Sequence, residues 1–456
     1  MRAGSEEVEQ RQVVVVGGGL AGLTAAWRLR DLDVVVLEAA SKVGGRIRSE
    51  RRGGVWLNVG AHVFGGSGTA TGRLIDEVGV RVVEVPGRLA AVALGEKIAA
   101  SGRVETYPFR LPLSPRSRLA LVRAGTKLRL AVRGYAAIAA ERPGEEPAAR
   151  QLRMLRFRDD HSFSEFIGLL PPDVDAILRS TLTRSSGEPE ELAAGYGIGY
   201  FHLVWSRSAG LSRNIWGGSS VLPETIAAAL ESKVRLGARV TAVIPERDGV
   251  RVVHSDALGE HTVVARSVVV AAPAFVAREI VRELPAATAA ALDAVHYGPY
   301  VVGAFLTRET ETMPWDRIYA LATPERSFSM LFNTANVLRS AAAREPGGSL
   351  MVYAAAGRAR DLAQLDDSEV GQRFLADLGA IYPEARGIVD EVVIQRWDRG
   401  LPYAAVGRSL LQEPLTRPLG RVQLAGDYLG TWYTETAIQT GERAAAAARA
   451  QVGSSV

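Results

Sequence analysis

Residues 13–29 read VVVVGGGLAGLTAAWRL and residues 33–39 read DVVVLEA. Four consecutive valines predict a strand buried on both faces, the glycines a turn, the stretch from Leu20 a helix, and the second valine run a strand ending in an acid. This is the order of a dinucleotide-binding βαβ unit. Gly17 permits the tight turn, Gly19 lets the backbone approach a pyrophosphate, and Gly22 lets the helix pack closely on the strand. The phosphates then sit at the helix N-terminus, beside Leu20 and Ala21. Glu38 falls 21 residues after Gly17, next to Ala39 at the end of the second strand, where a carboxylate can accept hydrogen bonds from ribose hydroxyls.

The residues just past the acid decide which dinucleotide is expected. LEAASKVGGRIRS sets Gly44, Gly45 and Arg46 there, with two glycines for close backbone approach and a fixed cation to oppose two phosphate charges. The stretch resembles the GG-R/K signature of flavin-dependent amine oxidases, protoporphyrinogen oxidases and carotenoid desaturases. The resemblance implies an FAD-binding α/β fold: a Rossmann-like domain interleaved with an α+β substrate domain.

The other end of the chain supports the same reading. RVQLAGDYLGTWYTETAIQTGERAAAAARA is a buried strand, Gly426-Asp427, an irregular aromatic segment and a helix. It resembles the family's closing motif, which implies that Asp427 meets the ribityl or pyrophosphate region. The helix N-terminus, with Thr436 and Ala437, would then face the flavin's pyrimidine edge, where a positive dipole end stabilises reduced flavin. Between the two ends, RNIWGGSSVLPETIAAAL reads as a helix. VRLGARVTAVIPERDGVRVV and ARSVVVAAP read as strands, with Val240 expected near adenine.

At 456 residues and 47% hydrophobic content the chain has room for two domains with substantial cores. FAD-binding pieces are expected at 8–75, 214–275 and 388–456, and substrate-domain pieces at 76–213 and 276–387. The first insertion reads as largely helical, the second as strands in HYGPYVVGAFLTRE and SLMVYAAAG with a helix through SEVGQRFLADLGAIY. With no cysteine the chain has no disulfide, thiolate metal site or cysteinyl-flavin bond, so FAD is expected to be non-covalent and no metal is expected. The first eleven residues carry mixed charge without an apolar core, and no apolar run approaches the ~20 residues that span a bilayer. A cytoplasmic protein is expected. Residues 110–158 hold twelve Lys/Arg against three Asp/Glu, net +9 against +4 for the whole chain. That face either contacts water or touches an anionic membrane peripherally. No nucleic-acid module accompanies it. The oligomeric state is left open, a homodimer included.

Candidate catalytic groups come from aromatic residues and one histidine. Trp397, Pro402, Tyr403 and Gly407 in QRWDRGLPYAAVGRSLL resemble a pattern of protoporphyrinogen-oxidase relatives. Counting back from GERAA, Tyr433 falls at one position of the two-ring cage that orients the amine in amine oxidases; the other falls near Gly407, which has no ring. The lysine that many amine oxidases place in the strand reading GPYVVGAFL here falls near Val302, where there is none, and this shifts weight toward the desaturating branch. Gly60-Ala61-His62-Val63-Phe64 lies against the flavin ring in the oxidases, and also resembles the G-x-H-x-F run of UDP-galactopyranose mutases. Tyr196, Tyr200, Phe201, His202 and Trp205 form an aromatic cluster, and the last four, with Tyr433, are the expected wall of a substrate pocket.

The expected activity is therefore that of an FAD-dependent oxidase or dehydrogenase. It would take a hydride from a C–N or C–C unit of a small apolar or planar molecule, with dioxygen as acceptor and hydrogen peroxide as product. The alternatives are a nucleotide-sugar mutase and, third, a non-catalytic flavin-binding protein.

Overall fold

Strand β1 (Glu9–Val16), helix α1 (Leu20–Arg28) and strand β2 (Val34–Glu38) form the expected βαβ unit in a computed structural model that describes residues 8–85, 87, 89–205, 211–340 and 345–453. The polar leader over residues 1–7 lies outside the described residues. β1 pairs in parallel with β2 (Val13 opposite Val34) and, on its other edge, with the strand Gly259–Val270 (Val13 opposite Ser267). Val13 and Val15 enter one hydrophobic core and Val14 and Val16 the other, which is why the run is apolar without alternation.

Seven strands make this nucleotide-type sheet. In space they run Val234–Leu236, β2, β1, Gly259–Val270, Val250–Asp256 and Arg239–Pro245, with Val422–Leu424 paired in parallel to Gly259–Val270. The closing helix Tyr433–Gly453 lies on α1. A Cβ on Gly22 would sit 1.9 Å from the Gly17 carbonyl oxygen, and one on Gly441 2.4 Å from that of Ala21. α1 is thus clamped between sheet and closing helix at two glycines.

A second seven-stranded sheet, mostly antiparallel, runs Val389–Tyr403, His296–Thr307, Gly348–Ala355, Met330–Asn333, Ala320–Ala322, Ala91–Leu94, Lys97–Ala99. Its two faces separate by strand alternation. Val301, Phe305, Leu350 and Val352 pack under the helix Asp367–Ile381, whose Phe374 touches Gly303. Tyr300, Val302, Met351 and Tyr353 face the other way and form a separate cluster with Tyr319, Phe332 and Trp397. Helices Pro115–Ala139, Pro172–Leu182 and Ala194–Trp205 close that side.

The expected domain pieces need one correction. Val389–Tyr403 was assigned to the FAD-binding piece 388–456, yet it is the edge strand of the second sheet, in register with His296–Thr307 over almost its whole length. The nucleotide-type sheet regains the chain only at Val422–Leu424. On the basic insertion, Arg116, Arg123 and Arg129 are exposed on the helix Pro115–Ala139, interspersed with exposed Leu119 and Leu130. Among the described residues no helix is long and apolar enough to cross a membrane.

Candidate active site

The glycine turn has the shape of a phosphate cradle. Gly17 adopts φ +103°, and a Cβ there would lie 2.9 Å from the Ala271 carbonyl oxygen, so only glycine fits; a Cβ on Gly19 would meet nothing within 4 Å. The backbone is therefore open at Gly19, where the pyrophosphate was expected. The GGR turn docks on the same loop. Gly44 donates its N–H to the Gly18 carbonyl at 2.8 Å, and Gly44 and Gly45 both take positive φ.

Glu38 lies beside this cradle. Its Oε2 accepts the Gly18 N–H at 2.6 Å and its Oε1 the Ala40 N–H at 2.7 Å, just past Ala39. Ala238 donates its N–H to the Glu38 carbonyl, which brings the buried Val240 to the end of β2. Arg46 reaches across to the far part of the chain: one Nη donates to the Gly400 carbonyl at 2.8 Å, another lies 2.9 Å from Asp427 Oδ1. Burial opposes its charge, but the Asp427 carboxylate outweighs that and raises its pKa further.

At the closing helix, Thr436 Oγ1 accepts the Trp432 N–H at 3.0 Å, and Ala437 packs on the nucleotide-side core. Tyr433, the first residue of the helix, sits at φ +37°. A non-glycine residue there is strained, a state tolerated where the surroundings fix it. Its hydroxyl is buried and faces that of Tyr196, and burial pushes its pKa well above the usual phenol range.

His62 forms the opposite side. Ala61 donates its N–H to the Arg46 carbonyl, and a Cβ on Gly60 would come within 2.3 Å of the same oxygen, so this loop is pressed onto the GGR turn. His62 Nδ1 lies 3.2 Å from the Gly60 carbonyl oxygen, its Nε2 is buried without a partner, and its ring is 4.8 Å from that of Phe332. Burial lowers its pKa to about 4. The Trp397 indole is fixed by donation to the Val59 carbonyl at 2.8 Å.

Not every expected residue arrives there. Tyr403 stacks on His296 at 5.6 Å and makes no ring contact with the His62 group. His202 packs on Tyr135. Tyr200 does arrive, tilted against Trp432. Phe201 and Trp205 line a cavity of about 1210 Å³ that Arg184 also lines. Val302, on the strand where a lysine would lie, is buried in the ring cluster. The sequence reading missed Arg184, Tyr300, Tyr319, Phe332 and Tyr353. Period-2 placement of Tyr300 and Val302 in GPYVVGAFL was a usable signal; for Arg184, in TLTRSSG, no local pattern exists.

The family model described as flavin containing amine oxidoreductase matches residues 20–449. The chain belongs to this family. It is similar to putrescine oxidase of Kocuria rosea, 30% identical over 248 residues, which is 51% of this chain and 48% of that protein. It is also similar to an L-amino-acid oxidase of Demansia vestigiata, 24% identical over 95% of this chain and 86% of that one. The first curated relatives it matches are covered over about half of their length or less. The solved structure of cyclohexylamine oxidase from Brevibacterium oxydans superposes with a TM-score of 0.76 at 19% identity, covering 97% of this chain and 99% of that one. This likeness supports the two-domain fold.

Proposed function

We propose that the protein is an FAD-dependent oxidase acting on the C–H next to nitrogen in a small, apolar or planar amine, with dioxygen as electron acceptor and hydrogen peroxide as product. The observation that carries this reading is the buried His62 Nε2, which has no hydrogen-bond partner, together with the buried hydroxyls of Tyr196 and Tyr433, which face each other, set among rings next to the glycine cradle. Buried polar atoms normally have partners, and one left without points to a ligand.

The cradle fits the group the family implies. Gly17, Gly19 and Gly22 with Gly44, Gly45 and Arg46 would hold the pyrophosphate, Glu38 the ribose, and Asp427 with the N-terminus of helix Tyr433–Gly453 the remainder, all without a covalent bond. Bound there, FAD supplies a hydride acceptor that dioxygen can reoxidise. The chain supplies the rest. Arg46 opposes phosphate charge. If the Gly60 carbonyl accepts the Nδ1 proton, His62 Nε2 is left as an acceptor for an amine N–H. Tyr433 and Trp397 wall the substrate and exclude water.

The test is direct. Purified protein should be yellow, release intact FAD on denaturation, bleach anaerobically with an amine and form peroxide in air. Finding NAD, or no flavin after reconstitution, overturns the reading. Turnover of a nucleotide sugar only after dithionite reduction, without net electron transfer, would favour the mutase chemistry instead.

A further inference from the structure

Arg184 sits where the ring cluster meets the large cavity. Its guanidinium carbon lies 5.8 Å from the centre of the Tyr200 ring and 5.5 Å from that of Phe332, and the side chain lines the cavity of about 1210 Å³. Phe332 is the ring that touches His62, so Arg184 and His62 flank one aromatic wall. The Arg184 Nε is buried and has no hydrogen-bond partner, and among the described residues no carboxylate pairs with this guanidinium. Arginine stays charged. The Arg184 guanidinium faces the neutral hydroxyls of Tyr353 and Tyr200, whereas Arg46 has the Asp427 carboxylate.

The backbone holds the residue in place. Tyr300 donates its hydroxyl to the Arg184 carbonyl at 2.6 Å. Two residues on, Ser186 adopts φ +85°, and its Oγ donates to the carbonyls of Gly298 and Leu401 at 3.2 and 3.1 Å. A Cβ on Gly298 would lie 1.8 Å from the Ser186 carbonyl oxygen. A strained serine wedged against two strands fixes a buried cation that no anion among the described residues neutralises. Such a charge is costly unless something pairs with it, and strain of this kind persists where the geometry is used.

We infer that Arg184 is the anchor for an anionic group on the substrate, a carboxylate on an apolar or aromatic body, so that the preferred substrate is an amine that also bears a carboxylate. A guanidinium fork matches a carboxylate in two parallel hydrogen bonds, and the same charge repels a substrate whose far end is a second ammonium. This rests on the oxidase reading above and adds the substrate class.

The experiment uses the flavin-loaded protein and two probes of like size, benzoate and benzylamine. Benzoate should perturb the visible flavin spectrum saturably and raise the melting temperature; benzylamine should bind more weakly. Arg184→Gln should weaken benzoate by roughly one to two orders of magnitude, the range for a hydrogen bond to a charged group, with partial recovery in Arg184→Lys. Because Arg184 faces neutral hydroxyls and no carboxylate among the described residues, Arg184→Gln should melt no lower than the parent, whereas a purely structural arginine would lower it. Equal benzoate affinity in parent and Arg184→Gln, or tighter benzylamine than benzoate in the parent, overturns the inference. A protein that binds FAD and bleaches with neutral amines yet ignores benzoate loses only this inference. One that binds benzoate through Arg184 but retains no flavin loses only the oxidase reading.

Discussion

Glu38 has two duties at once, because the carboxylate expected at the ribose also ties the loop that carries Gly18 to the residue after β2. Glu38→Ala should therefore raise the dissociation constant for FAD by about one to two decades, the effect of ~1.5–3 kcal/mol in hydrogen bonds to a charged group. The flavin spectrum of the molecules that remain loaded should not change; equal retention of FAD by parent and variant, measured by flavin fluorescence on dilution, would show that β2 and the turn are misaligned. His62 gives a second prediction, this one in pH. Its folded pKa of about 4 lies below the ordinary imidazole value of 6.5, and the groups around it are Arg184, which also opposes protonation, and the neutral hydroxyl of Tyr319. Above pH 6.5 both folded and unfolded states carry a neutral ring, so His62 contributes nothing. Between 6.5 and 4 the unfolded chain takes up a proton that the folded one refuses, and stability falls; below 4 the loss is complete, at about 3 kcal/mol. His62→Gln should flatten that part of the acid melting curve, and an unchanged slope would place His62 in contact with water.

Helix α1 is where local sequence and tertiary packing agree most closely. Gly22 and Gly441 mark its two contact faces, each with a backbone oxygen nearer than a Cβ allows. Gly22→Ala and Gly441→Ala should each destabilise by about 1–3 kcal/mol, the usual effect of overpacking a close contact, and should loosen FAD as well; a denaturation midpoint equal to the parent's would mean that helix and sheet separate without penalty. The same element explains what was readable in advance. VVVVGGGLAGLTAAWRL specifies its own neighbours, since strand, turn and helix all lie within one short stretch. Val389–Tyr403 does not. Its Trp397 and Pro402 belong to a motif near the C-terminal flavin signature, but its hydrogen bonds go to His296–Thr307, and backbone pairing across that separation leaves no mark in either stretch alone. Arg184 was harder still. Its meaning comes from Tyr200, Tyr300, Phe332 and the lack of a pairing acid among the described residues, contributed by separate segments, and a single arginine in TLTRSSG carries none of that. Tyr403 and His202 show the converse: an aromatic residue near a motif is as readily used to pack one helix or strand on another.

On the scale of the whole molecule, Arg46 joins three parts of the chain that the sequence separates widely. It lies in the GGR turn after β2, pairs with Asp427 before the closing helix, and donates to Gly400 on the edge strand of the second sheet. With Asp427 only 6% exposed, loss of one partner leaves the other charge buried and uncompensated, which costs about 3–5 kcal/mol. Bound FAD adds to the same junction, because a ligand held only by the folded state stabilises it by about 2.7 kcal/mol at a hundred times its dissociation constant. The loaded protein should thus melt at a temperature that rises with free FAD. Arg46→Gln should lower the melting point even without FAD, through Asp427, and should also reduce the gain on adding FAD, through the phosphates. A variant that loses stability but keeps the full FAD-dependent gain would show that Arg46 is a structural tie between the sheets and faces no phosphate; the pyrophosphate would then rest on the glycine loop and the start of α1 alone.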